Sequence, residues 1–192
     1  MELRPLPRSF YARDALALAR ALIGCFIVHE TRGAARVARI VETEAYRGPK
    51  DLACHARAGL TRRTRALLGP PGHAYVFLVY GMHECFNVVG LAEGRGHAVL
   101  VRAVEPVLGV DAKSSGPGLA ARALGITRAH DGADLVTGSL FVAARAKRPA
   151  RIEVTARVGV AYAGAWADKP WRFLDPTSAY VSRPPRSAIG RR

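Results

Sequence analysis

The densest run of chemically capable side chains is Val41-Glu42-Thr43-Glu44-Ala45-Tyr46, followed by Ala53-Cys54-His55. A carboxylate at a strand end beside a tyrosine and a histidine has the parts of a hydrolytic site. The carboxylate can activate water, and aromatic rings can sandwich a flat ligand. The same E-x-E pattern also suits a solvated sheet edge. A second group is Tyr75-Val76-Phe77-Leu78-Val79-Tyr80-Gly81-Met82. By alternation Tyr75 and Phe77 share one face, while Tyr80 falls at a hairpin turn. A ring at such a tip suits a wedge pushed into a base stack; the alternative is a ring folded back onto the core.

Several chemistries lack their signatures. The three cysteines, Cys25, Cys54 and Cys85, are odd in number and show no CxxC spacing, against a disulfide framework or zinc ribbon. No H-x-E with P-C-x-x-C marks a zinc deaminase, no glycine-rich nucleotide loop is present, and no tight acidic cluster suggests a two-metal nuclease. The expectation is a chain without metal or cofactor. No apolar run reaches the roughly 18 residues of a membrane span, and the N-terminus lacks the apolar core of a signal peptide. The reading is a soluble, cytoplasmic protein, nucleoid-associated if bacterial. Its 29 Lys and Arg against 15 Asp and Glu give +14, concentrated in 57–65, 145–151 and 183–192. Such a field attracts polyanions, although an arginine-rich coding bias would raise the charge as well.

The elements that must position these groups can be read from pattern. Ser9–Leu22 is an entry segment and a helix, favoured by Asp14 at its start and stopped by Gly24. Cys25–His29 and Val37–Thr43 are strands joined by a polar turn, with Glu44 at or just beyond the strand end. Glu42 alternates onto the face of Ala38 and Ile40, away from Thr43. Residues 46–59 form an irregular loop and Thr61–Leu68 a short basic helix. Ala74–Tyr80 and Glu84–Val89 pair as a hairpin. Ala98–Val104 is a strand stopped by Glu105-Pro106, and Ser115-Gly116-Pro117 opens a helix to about Gly125. Phe141–Ala144 and Ile152–Val158 close the sheet, and Lys147–Arg151 is a surface turn. The fold class is therefore mixed α/β (α+β), one domain over 1–182 with a largely antiparallel sheet, and a basic, flexible tail over 183–192.

The string 39–46, with Gly48-Pro49, Asp51 and His55, resembles the alkyladenine (3-methyladenine) DNA glycosylase family. So do 71–76, Tyr80-Gly81-Met82-His83, 85–89, 100–106, Ser115-Gly116-Pro117-Gly118, 123–126, 157–160 and 169–173, in order along nearly the whole chain. The resemblance implies a curved sheet flanked by helices with a protruding β-hairpin. It also implies base excision repair of alkylated or deaminated purines, of the 3-methyladenine, 7-methylguanine and hypoxanthine type, flipped from duplex DNA by a monomer.

Residue by residue, the resemblance makes Glu44 the general base and Arg102 its partner in holding water. Tyr46, His55 and Phe77 become the rings around the flipped base, with backbone groups near Ala53 and His55 reading its edge. Asn87 crowds the 2-amino group of guanine, Tyr80 and Met82 enter the base stack, and Thr61, Arg63 and Gly81 touch the DNA backbone. Phe77 replaces a usual tyrosine, Glu84 follows the wedge hairpin, Leu119 replaces a common lysine, Arg62 and Thr64 interrupt a familiar string, and the segment before Ser115 is short. An aromatic cage favours a cationic base by about 1–2 kcal/mol. The four lysines, Lys50, Lys113, Lys147 and Lys169, lie outside the pocket motifs, so a hydrolysis without Schiff-base lyase chemistry is expected. Two other readings remain: a catalytically silent nucleic-acid-binding module, and a hydrolase of free nucleosides.

Overall fold

A computed structural model describes residues 3–145 and 149–182. Residues 147 and 148 of the expected 147–151 turn and the whole expected tail lie outside the described residues. A four-residue helix, α1 (Arg8–Tyr11), leads into α2 (Ala15–Leu22). Asp14 caps α2 by accepting hydrogen bonds from the Leu16 and Ala17 N–H groups, and Ala15, Leu18, Ala19 and Leu22 bury one stripe.

The sheet is built from β1 (Phe26–Thr31), β2 (Ala34–Arg47), β3 (Ala74–Val79), β4 (His83–Gly90), β5 (His97–Leu108), β6 (Leu140–Ala143), β7 (Glu153–Thr155) and β8 (Arg172–Leu174). Its order is β3-β4-β5-β2-β1-β6; β8 pairs with β2 and β7 with β8, all antiparallel. The result is a curled sheet with α2 and α3 (Pro117–Leu124) packed on it, a single α+β domain. Gly116, Pro117 and the left-handed Gly125 delimit α3 as expected. No helix of the described residues is long and apolar enough to cross a membrane.

Several local expectations change. β2 continues to Arg47, so Glu44 lies inside the strand rather than at its end. β5 runs on through Glu105 and Pro106; Pro106 faces Ala38 at a register step, where a missing N–H costs the ladder least. Residues 62–68 are successive turns instead of a helix. There Thr64 Oγ1 donates to the Gly59 carbonyl at 2.6 Å and accepts from Thr61 N–H at 2.8 Å, local bonds that compete with helical ones. The 46–59 loop is partly ordered as strand and as a 3-10 helix at His55–Ala58. β8 went unforeseen because three residues carry no readable period.

Besides the step at Pro106, the register of β2 on β5 steps twice more, in opposite senses. Ile40 faces Val104, Glu42 faces Ala103, and Thr43 faces Val101. Val41 is thus an extra residue in β2 and Arg102 an extra residue in β5. Ala38 and Ile40 pack in the main core before the step, and Ala45 after it, while Thr43 Oγ1 reaches the Ala19 carbonyl of α2 at 3.1 Å. The core-facing parity changes from even to odd. Strict alternation therefore placed Glu42 on the core face with Ile40, whereas it stands with Glu44 and Tyr46 on the opposite face.

Candidate functional site

Below that face lies a chain of buried charges. Glu42 is completely buried, and its Oε1 accepts from Arg102 Nε at 2.8 Å and Arg172 Nε at 2.7 Å. Its Oε2 accepts from the Ser182 N–H at 2.6 Å. Burial would raise the Glu42 carboxyl, but Arg102, Arg172 and the Ser182 N–H hold it below its ordinary value. Arg102 also brings Nη1 to 3.4 Å from Glu44 Oε1. The bulge at Arg102 thus aims one guanidinium at two carboxylates.

Glu44 is also fully buried. Its Oε1 accepts the Val158 N–H at 2.7 Å, and its Oε2 accepts the Tyr46 hydroxyl at 2.9 Å. The Tyr46 hydroxyl is pushed far up by burial and then by Glu44, so it stays a proton donor. Behind the Tyr46 ring stands Arg157, its Cζ 4.8 Å from the ring centroid. Arg157 is pinned bidentately to Asp51, at 2.7 and 2.9 Å, and donates to the Ala45 and Trp166 carbonyls. The tyrosine is held by its hydroxyl at the edge and by a cation on one face.

Above Glu44 opens a cavity of about 510 Å³, lined by Tyr46, Ala53, His55, Phe77, Asn87 and Arg102 among others. That volume is of small-ligand size. His55 Nδ1 shares a hydrogen bond with the Tyr75 hydroxyl at 2.9 Å, and its ring meets Phe77 edge to face at 4.6 Å. Burial, with Arg63 adding to it, pushes the His55 imidazole down to about 4, so it is neutral at ordinary pH. Asn87 donates from Nδ2 to the Tyr75 and Cys85 carbonyls at 3.0 and 3.3 Å, which fixes the side chain in the wall. The Ala53 N–H is spent on Asp51 Oδ1 at 3.0 Å, and its carbonyl accepts from the Tyr162 hydroxyl at 3.5 Å.

At the cavity rim the β3–β4 hairpin ends in Tyr80, 88% exposed, with Met82 71% exposed beyond it. The Met82 N–H donates to the Val79 carbonyl, and both residues between them have positive φ, 52° at Tyr80 and 70° at Gly81. Primed turns of this kind usually carry Asn-Gly. Here a bulky ring is held in the left-handed region with no core to cover, so the folded-back alternative does not hold. Glu84 turns away from this tip: its Oε1 accepts the Arg128 N–H at 3.2 Å.

The structure therefore gathers Arg102, Tyr46, Ala53, His55, Phe77 and Asn87 around one cavity, with Tyr80 at its rim and Glu44 behind the wall, bonded to the lining residues Tyr46, Val158 and Arg102. Thr61, Gly81 and Met82 are exposed and line no part of it. Arg63, expected on the DNA backbone, is a lining residue. Sequence reasoning gave no role to Glu42, Asp51, Arg157, Arg172 or the Val158 N–H. The signal for them was weak, namely acidic and basic residues inside otherwise apolar motif blocks.

A buried carboxylate bonded to the wall of an aromatic cavity, beside an exposed ring on a strongly basic chain, has the parts of a base-excising hydrolase. Residues 9–179 match the family described as methylpurine-DNA glycosylase (MPG). A protein of Anaeromyxobacter dehalogenans (strain 2CP-1) is 53% identical over 97% of this chain and 90% of its own length. One of Myxococcus xanthus (strain DK1622) is 52% identical over 94% of each chain. One of Legionella pneumophila (strain Corby) is 42% identical over 94% of this chain and 100% of its own. All three carry the name "Putative 3-methyladenine DNA glycosylase". The chain belongs to the methylpurine-DNA glycosylase family, and it is a DNA glycosylase whose substrate is DNA.

Proposed function

We propose that the chain flips a damaged purine from duplex DNA into the cavity above Glu44 and hydrolyses its N-glycosidic bond, working as a monomer among cytoplasmic DNA. The observation that carries this reading is Glu44, a wholly buried carboxylate bonded to Tyr46, the Val158 N–H and Arg102, three residues that line a cavity of small-ligand size. As the C1′–N bond lengthens, its electron pair leaves with the base and positive charge builds on the sugar. Glu44 stabilises that charge and takes the proton of a water that attacks C1′. Tyr46 Oη and the Val158 N–H orient the carboxylate, and Arg102 faces it with a positive charge.

Tyr80 fills the gap left in the stack, Met82 lies against the neighbouring step, and Thr61 and Gly81 meet the phosphates. Asn87 excludes normal guanine by crowding its 2-amino group. Alkylated purines and hypoxanthine are the substrate class. None of the described lysines, Lys50, Lys113 and Lys169, lines the cavity, which supports hydrolysis without lyase action; Lys147 lies outside the described residues.

The test is single-turnover excision from a duplex carrying one hypoxanthine, for wild type, Glu44→Gln and the exposed-site control Glu93→Gln. Glu44→Gln is expected to lose about 10²–10⁴-fold in rate while retaining affinity for the lesion duplex. Retention of more than about a tenth of the rate would remove Glu44 from the role.

A further inference from the structure

Arg63 occupies an unexpected place. Its guanidinium lies 5.3 Å from the Phe77 ring centroid, and the residue lines the cavity with His55, Tyr75 and Phe77. Burial takes the Tyr75 hydroxyl up to about 12 even though the charge of Arg63 and a hydrogen bond from it pull it down. Among the described residues no carboxylate forms a salt bridge with Arg63. The buried carboxylate behind the cavity wall, Glu44, is already matched by Arg102, which lines the cavity. Tyr46 has the Arg157 cation behind it. The rings of the cage thus face two arginines, Arg157 pinned behind Tyr46 and Arg63 over Phe77.

We infer that Arg63 sets the lesion preference of the cavity, favouring neutral purines such as hypoxanthine over cationic ones such as 7-methylguanine. This rests on the reading of the cavity as the base site. A neutral purine departs as an anion when the C1′–N9 electron pair leaves with it. A guanidinium beside the base stabilises that anion and can donate hydrogen bonds to its acceptor edge. A 7-methylguanine carries its positive charge before cleavage and departs neutral. It gains nothing at the leaving group, and in the ground state it meets a like charge several ångströms away. The arginine over Phe77 also occupies the cation preference that an aromatic cage would otherwise offer the base.

The experiment compares wild type, Arg63→Gln and Arg63→Lys in single-turnover excision at saturating enzyme. The substrates are two duplexes of one sequence, one carrying hypoxanthine and the other 7-methylguanine. Arg63→Gln should lower the hypoxanthine-to-7-methylguanine rate ratio by about tenfold, the effect of one nearby charge at the effective dielectric of a half-exposed site. Arg63→Lys keeps the charge and should stay within about threefold of the wild-type ratio. Equal losses on both duplexes, accompanied by a shallower salt dependence of binding, would make Arg63 a phosphate contact and overturn the inference. A ratio unmoved by either substitution would overturn it as well. If wild type excises neither base, the reading of the cavity fails first and the inference goes with it.

Discussion

Replacing Glu42 by glutamine removes the charge that Arg102 and Arg172 share in the interior. Breaking one side of a buried pair costs about 3–5 kcal/mol, so Glu42→Gln should unfold at much lower urea than wild type. The lowered Glu42 carboxyl also predicts a direction with pH. The stabilisation is fully present above the ordinary value of 4.5 and is lost as pH falls through the lower folded value. His55 works in the adjoining window. Folded, it stays neutral down to about 4, whereas the unfolded chain takes its proton near 6.5. The unfolded state binds more protons between those values, so stability falls as pH drops from 6.5 to about 4. Urea titrations of wild type and His55→Gln should show that part of the pH dependence flattened in the variant; parallel curves would place the imidazole in solvent.

The β3–β4 hairpin trades stability for its tip. Tyr80 sits at positive φ where asparagine is the common choice, and such a conformation costs about 1 kcal/mol or more. Tyr80→Asn should therefore raise the melting temperature slightly while excision from duplex collapses, the lost stacking amounting to about 1–3 kcal/mol. Excision of a base already looped out should fall much less, and equal loss on both substrates would remove the wedge role. The hairpin was legible in sequence because alternation and a glycine turn agree over two full strands. α2 was legible for the same reason, its cap and apolar stripe pointing one way. Glu44 and Tyr46 stood out by residue type, and their roles came from resemblance. The orientation of Glu42 was not legible, because the extra Val41 breaks the period-two rule without leaving a glycine or proline to announce itself. Arg157 was equally hidden: its partner Asp51 lies far away in the chain, and nothing local marks a buried ion pair.

At the scale of the whole molecule the charge of +14 acts on encounter. Binding to undamaged duplex should weaken by about 10³-fold or more between roughly 50 and 200 mM salt if several phosphates are neutralised. A fluorescence titration giving a flat response would mean that the field plays no part in DNA search. The paired register steps in the β2–β5 ladder have a wider consequence. They behave like two dislocations of opposite sign in a crystal: the register of Ala38–Ile40 is restored from Thr43 onward, and the misfit is confined between them. The misfit is where Arg102 meets both carboxylates. Loss of Val41 alone would leave one dislocation uncancelled, and every pair from Thr43–Val101 to Arg47–His97 would have to slip or swap faces. A single-residue deletion there is thus a lesion of the entire sheet, whereas the turn at Arg32-Gly33, outside the misfit, can change length with no such penalty.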